Sequence, residues 1–218
     1  EILAEEVARL REQVELPATE EDRLEGRYGL GPMASKVYGV PGGVSVGGYG
    51  EFNFAQSLED GAADRADFYR VITYLGYKFS DRIVMNTEIE FEHAGEEVSV
   101  EFAYLDFLLD EAFNLRAGNL LVPMGFVNVL HEPPFYRGNF RPEVERRIIP
   151  STWREMGLGA HGAFGEGFSY TAYLLNGLDG SGFSDRGIRG GRQGGDRALF
   201  NDLGGVVALD YDLSLIHI

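Results

Sequence analysis

The run Ile83-Val84-Met85-Asn86-Thr87-Glu88-Ile89-Glu90-Phe91-Glu92-His93 decides the fold. Ile83, Met85, Ile89 and Phe91 alternate with Asn86, Glu88, Glu90 and Glu92, the period of two of a β-strand with one apolar and one polar face. In a soluble sheet the apolar face turns to a core. In a membrane barrel it turns to lipid, and the carboxylates face enclosed water. One strand does not choose between these solutions.

Working outward, the same alternation recurs. It predicts strands over 44–57, 67–79, 98–109, 113–121, 155–164, 168–176 and 203–213, with an ambiguous face and a bulge near Tyr104–Asp106. With 83–93 that makes about eight strands and no helix to cover them. The connections sort by parity. Those at 80–82, 110–112 and 165–167 are tight, whereas 58–66, 122–154 and 177–202 are long; the turn near Gly95 is the one short exception. Short turns at one rim and long loops at the other are the layout of an outer-membrane barrel. Tyr77, Phe79, Phe107, Phe113, Phe164 and Phe168 flank the tight turns, where an interfacial aromatic girdle belongs.

Residues 1–16 read as a coiled-coil helix, with Leu3, Val7, Leu10 and Val14 as an oligomerisation seam. Two heptads are too short to stand alone, so the seam packs on the parent domain or between protomers. Pro17 ends it, and 17–43 reads as a polar periplasmic linker. Residues 214–218 lose the alternation and read as a truncated or non-native tail.

Composition removes several function classes. There is no Cys, hence no disulfide framework and no thiolate metal site. A formal charge of -16 argues against a nucleic-acid partner. No run is long and apolar enough for a spanning helix. His93, His131, His161 and His217 lack ligand spacing, and no catalytic constellation or cofactor motif is visible, so neither enzyme activity, metal nor cofactor is expected. Arg189-Gly190-Gly191-Arg192 reads as part of an outer loop.

Three stretches carry a resemblance. Arg116 to Gly125 resembles the strand-to-loop motif Gly-Gln-Phe-Lys-x-Pro-Phe-Gly of the phosphate-selective porin O and P family of Gram-negative outer membranes. Val144 to Pro150, followed by Arg154 to Gly159, is similar to its Glu-Arg-x-Leu-Pro motif and the Gly-rich strand after it. Tyr173 to Gly177 resembles the next strand end. The resemblance implies an all-β fold, an antiparallel transmembrane β-barrel of about sixteen strands, of which this chain holds the first half. It also implies a homotrimer in outer-membrane lipid and a third long loop, here 122–154, folded inward to narrow the pore. Leu121 stands where the family motif has Lys, so phosphate selectivity is not carried over.

The expected function is a water-filled channel for passive diffusion of small hydrophilic or anionic solutes. Arg137, Arg141, Arg146, Arg147 and Arg154 would face Glu88, Glu90, Glu92, Glu143 and Glu145 across the lumen and set a transverse field. The competing reading of those loop charges is that they pair with each other and pin the loop. Arg147 and Arg154 also flank Trp153, which suggests a cation–π anchor at the rim. Three other architectures stay open: a closed eight-stranded barrel, a soluble sandwich, and a structural barrel tethered to peptidoglycan through helix 1–16.

Overall fold

The computed structural model describes residues 26–213 apart from Asp60, Arg137, Asn139, Ser151 and Arg186. The expected helix 1–16, its seam Leu3, Val7, Leu10 and Val14, candidate Arg137, and the tail 214–218 lie outside the described residues. Eight strands form one sheet: β1 Gly43–Ala55, β2 Arg65–Ser80, β3 Ile83–Glu92, β4 Glu97–Leu108, β5 Asn114–Leu121, β6 Arg154–Phe164, β7 Phe168–Asn176 and β8 Leu203–Tyr211. Each pairs antiparallel with the next, in sequence order. Among the described residues β1 and β8 do not pair. The sheet is therefore open, which overturns the closed eight-stranded barrel. No described helix is long and apolar enough to cross a membrane.

The two faces of the sheet differ in what covers them. One face is bare and apolar: Val44, Val46, Leu75, Phe79, Val98, Leu105, Leu158, Leu174, Val207 and Leu209 are all exposed. The other face is polar yet buried, with Glu88 and Asp106 wholly enclosed and Arg70, Asn86 and Arg116 nearly so. Loops and a short helix lie on it. This is the reverse of a protein folded in water, where isolated monomers seldom show a contiguous apolar patch above a few hundred Å². A second sheet that would complete a soluble sandwich is absent among the described residues.

Residues 32–39, read from sequence as linker, form helix α1 (Pro32–Gly39) instead. Pro32 starts it, where a missing N–H is harmless. Ala34, Val37 and Tyr38 repeat at the spacing of one helix face and bury against β1, β2 and β3. Their partners include Ile72, Tyr74, Val84, Phe102 and Tyr104, the main apolar cluster of the molecule. Gly76 makes the docking possible, since a Cβ there would collide with the Val37 side chain. The helix remained hidden in the sequence because eight residues between Pro32 and Pro41 carry too little pattern to stand out from a loop.

The bulge also sits elsewhere than expected. Alternation through Tyr104, Leu105 and Asp106 is regular; the register shifts where Glu88 pairs with Phe102 and Ile89 with Val100. Glu101 is the extra residue, so Glu101 and Phe102 are both buried in succession.

Candidate functional site

The covered face carries a ladder of charges built by cross-strand register. Arg70 of β2 reaches Glu51 of β1 at 3.0 Å and Glu90 of β3 at 2.7 Å, with Glu92 at 4.0 Å. Period-two alternation puts all four side chains on this face, and the register sets them side by side. The bulged Glu101 of β4 reaches across to Arg154 at the start of β6, 2.8 Å away, and accepts from Ser99 at 2.6 Å.

Loops close over this ladder at the long-loop end and leave a cavity of about 500 Å³. Its strand wall holds Glu90, Glu92, Glu97 and Glu101 with Arg154 of β6, while Arg141, Arg146, Arg189 and Arg192 supply positive charge from the loop side. With Arg70, six guanidinium groups line it against four carboxylates. Several of the loop arginines bond to neutral oxygens. Arg141 donates to the Thr152 hydroxyl (2.9 Å), Arg189 to the Arg146 carbonyl (2.7 Å) and Arg192 to the Thr152 carbonyl (3.1 Å). Burial, with Arg189 and Arg154 beside it, pulls the Arg192 pKa down to about 10. Burial and the neighbouring Arg141 and Arg146 lower that of Arg189. Both remain protonated at neutral pH. Glu51, paired with Arg70, and Glu143, paired with Arg146, add two more carboxylates at the margin of this cavity.

A second polar cluster lies nearer the tight turns. Arg116 of β5 holds Asp106 of β4 in a two-pronged pair, 2.6 and 2.8 Å. Tyr38 of α1 donates to the same carboxylate at 2.5 Å, and Tyr173 of β7 accepts from Arg116 at 3.2 Å. The Arg116 guanidinium lies 4.2 Å above the Tyr104 ring. These groups are fully enclosed, so each partner is needed: breaking such a pair leaves an uncompensated buried charge.

Between the two clusters, loop 122–154 touches the sheet. His131 Nε2 lies 3.1 Å from Glu88, and Glu132 accepts from the Ala34 amide (3.3 Å) and the Tyr74 hydroxyl (3.4 Å). Burial works to lower the His131 pKa, but the Glu88 carboxylate outweighs it and holds His131 above its ordinary value. Burial raises the Glu132 pKa, opposed by the Ala34 amide. Asn128 pins the loop base by donating to the Val122 and Trp153 carbonyls.

The sequence candidates divide accordingly. Arg141, Arg146, Arg154, Glu90 and Glu92 come together at the cavity. Glu88 does not face the loop arginines; it is taken up by His131. Glu143 pairs with Arg146 (2.8 Å) and Arg147 on the exposed loop crest, as the self-pairing reading has it. Glu145 is buried beneath the loop and accepts from the Phe126 amide at 2.8 Å, so it does not line the cavity. Trp153 donates its Nε1 to Glu155 at 3.2 Å, and no cation–π contact involves it among the described residues. Leu121, at the family's Lys position, is buried in the apolar cluster.

Neither a family model nor a solved structure matches this chain. A sequence relative does. It is a protein of Aquifex aeolicus (strain VF5) that carries only the description "Uncharacterized protein", 43% identical over 195 residues. The match covers 85% of this chain and 44% of that protein, so the chain spans less than half of the relative's length.

Sequence reasoning missed Arg70, Glu101, Asp106 and Arg116 on strands, and Arg189 and Arg192 in the loop between β7 and β8. The strand residues did carry a signal: each is a charged residue at an inward phase of an otherwise apolar alternation. For Arg189 and Arg192 the glycine-rich setting masked the signal.

Proposed function

We propose that this chain contributes the first strands of an outer-membrane β-barrel channel for passive diffusion of small hydrophilic solutes, with a preference for anions. The observation that carries the reading is the inverted sheet: apolar side chains bare, charged ones enclosed. An aromatic belt lines the tight-turn rim of the bare face, and an aromatic pair marks the other rim. At the tight-turn rim Phe164 stacks on Phe168 at 5.5 Å, Phe168 lies 4.4 Å from Tyr211, and Tyr77 lies 4.7 Å from Phe79. At the other rim Phe52 and Phe68 are 4.4 Å apart. Along β2, Phe68 to Tyr77 spans about 30 Å of strand, or roughly 23 Å of height at a tilt near 40°, close to the ~25 Å apolar band of such barrels.

Open sheet edges are not tolerated in lipid, so β1 and β8 each need a partner strand. We infer that further strands supply it, and the greater length of the Aquifex relative is in keeping with that. In this reading the arginine-lined cavity is the charge filter, loop 122–154 is the inward constriction, and the long loops face outside the cell. Assembly as a trimer and placement of residues 1–16 in the periplasm belong to the same proposal. Planar-bilayer recording of the full-length protein tests it: stepwise conductance with anion preference is expected, and its absence at high protein load refutes the channel.

A second reading has one observation in its favour. Residues 26–40 occupy the covered face, which suits a structural barrel with a closed lumen anchored to the cell wall. The same recording separates the two, because a closed barrel inserts in the bilayer without conducting.

A further inference from the structure

Residues 26–40 fold back on themselves over the covered face. The Arg27 amide donates to the Ser35 hydroxyl (3.1 Å), and the Tyr28 ring meets the Tyr38 ring edge-on at 4.7 Å. The hairpin reaches sideways from β1, where Lys36 Nζ donates to the Val46 carbonyl (2.7 Å), to β6, where Tyr28 lies 5.3 Å from the His161 ring. That is about five strand spacings, roughly 24 Å of the wall. The helix itself, with side chains, is about 10–12 Å thick.

Its anchors lie on the tight-turn side of the arginine cavity. They are Tyr38 on Asp106, and Asn86, which donates to the Ala34 carbonyl at 2.7 Å. On β3, Asn86 and Glu92 of the cavity stand about 20 Å apart along the strand. The two sites are therefore in series and lined by different residues. One link joins them: Glu132 of loop 122–154 caps the start of α1 at the Ala34 amide.

We propose that residues 26–40 are a second constriction at the tight-turn end, which sets the size limit of passage while the arginine cavity sets its charge preference. This rests on the channel reading. An eight-residue helix fixed at three points and buried on one face narrows whatever lumen the complete wall encloses, and the charges of its segment, Arg27 and Lys36, lie outside the arginine cavity.

These 218 residues contain no cysteine, so once any cysteine in the remainder of the full-length protein is replaced by serine, a single introduced thiol reports cleanly. In the full-length protein, V37C places a thiol under the docked helix, and A34D/V37C adds a carboxylate to the same apolar contact to eject it. The thiol of V37C should resist a bulky maleimide at wild-type conductance. A34D/V37C should label at least tenfold faster, conduct at least twofold more, and pass larger polyethylene glycols. Rapid labelling with unchanged conductance and size cutoff overturns the proposal, as does rapid labelling of V37C alone. Should A34D/V37C fail to fold, Y38F/V37C removes only the hydroxyl that holds Asp106; labelling and conductance must then rise together, and a rise in labelling alone overturns it. Silence from every protein removes the channel reading and this inference with it, whereas equal conductance in all removes this inference only.

Discussion

Leu158 gives the sharpest test of which solvent the bare face meets. Its side chain is 59% exposed, and its cross-strand neighbours are Ala117 and Leu174. It stands six positions before Phe164 in the tight-turn belt, which places it about 15 Å in from that rim, near the middle of a ~25 Å apolar band. Leu203 is equally exposed, at 56%, but it opens β8 at the far rim. Were this face in water, Leu158→Arg and Leu203→Arg would both change stability by no more than about 0.5 kcal/mol, as exposed surface substitutions do. In lipid the two separate. Arginine near the midplane costs about 2–4 kcal/mol, and near the interface about 0–1. The midplane figure is roughly a 30- to 700-fold change in the folding equilibrium, at tenfold per 1.4 kcal/mol. Reversible denaturant unfolding of the full-length protein from lipid vesicles measures both. If L158R and L203R are equally mild, the apolar face does not meet hydrocarbon and the barrel reading fails.

Further perturbations probe the enclosed face. Arg192→Ala removes a cavity charge and should move the reversal potential towards cations, while Arg147→Ala, on the loop crest, should leave it alone; equal effects would dissociate the cavity from selectivity. Asp106→Asn strands the Arg116 charge in an enclosed site and should lower stability by about 3–5 kcal/mol in an unfolding titration, far more than Asp185→Asn on the exposed loop. Because His131 has a folded pKa above its unfolded value, its charged pair with Glu88 stabilises fully below about pH 6.5 and is lost as pH rises through the folded pKa. Limited proteolysis of loop 122–154 should therefore accelerate from pH 6 to pH 9 in the wild type; His131→Gln should flatten the profile, and a wild-type profile already flat would remove His131 as the loop's anchor.

The strands were legible because their signal is local. Ile83 to Glu92 states both faces in ten residues, and every expected strand appears within about three residues of its predicted bounds. Loop parity was legible for the same reason. What stayed hidden depends on partners distant in sequence. Alternation says that Arg70 and Glu90 share a face, but only register says they touch. Asp106 and Arg116 meet across one tight turn, yet the third member, Tyr38, comes from a segment that reads as linker. Arg189 and Arg192 sit in a glycine-rich loop whose path is set by the sheet beneath it.

The one irregular residue of β4 has a consequence for how this wall tolerates change. Deleting Glu101 would join Val100 and Phe102 into an unbroken ladder against Ile89 and Glu88, and every outward side chain of the strand would keep its place. The strand would become more ideal, and Arg154 would lose its only carboxylate partner among the described residues. A regular ladder and a carboxylate partner for Arg154 therefore make opposite demands on this single position.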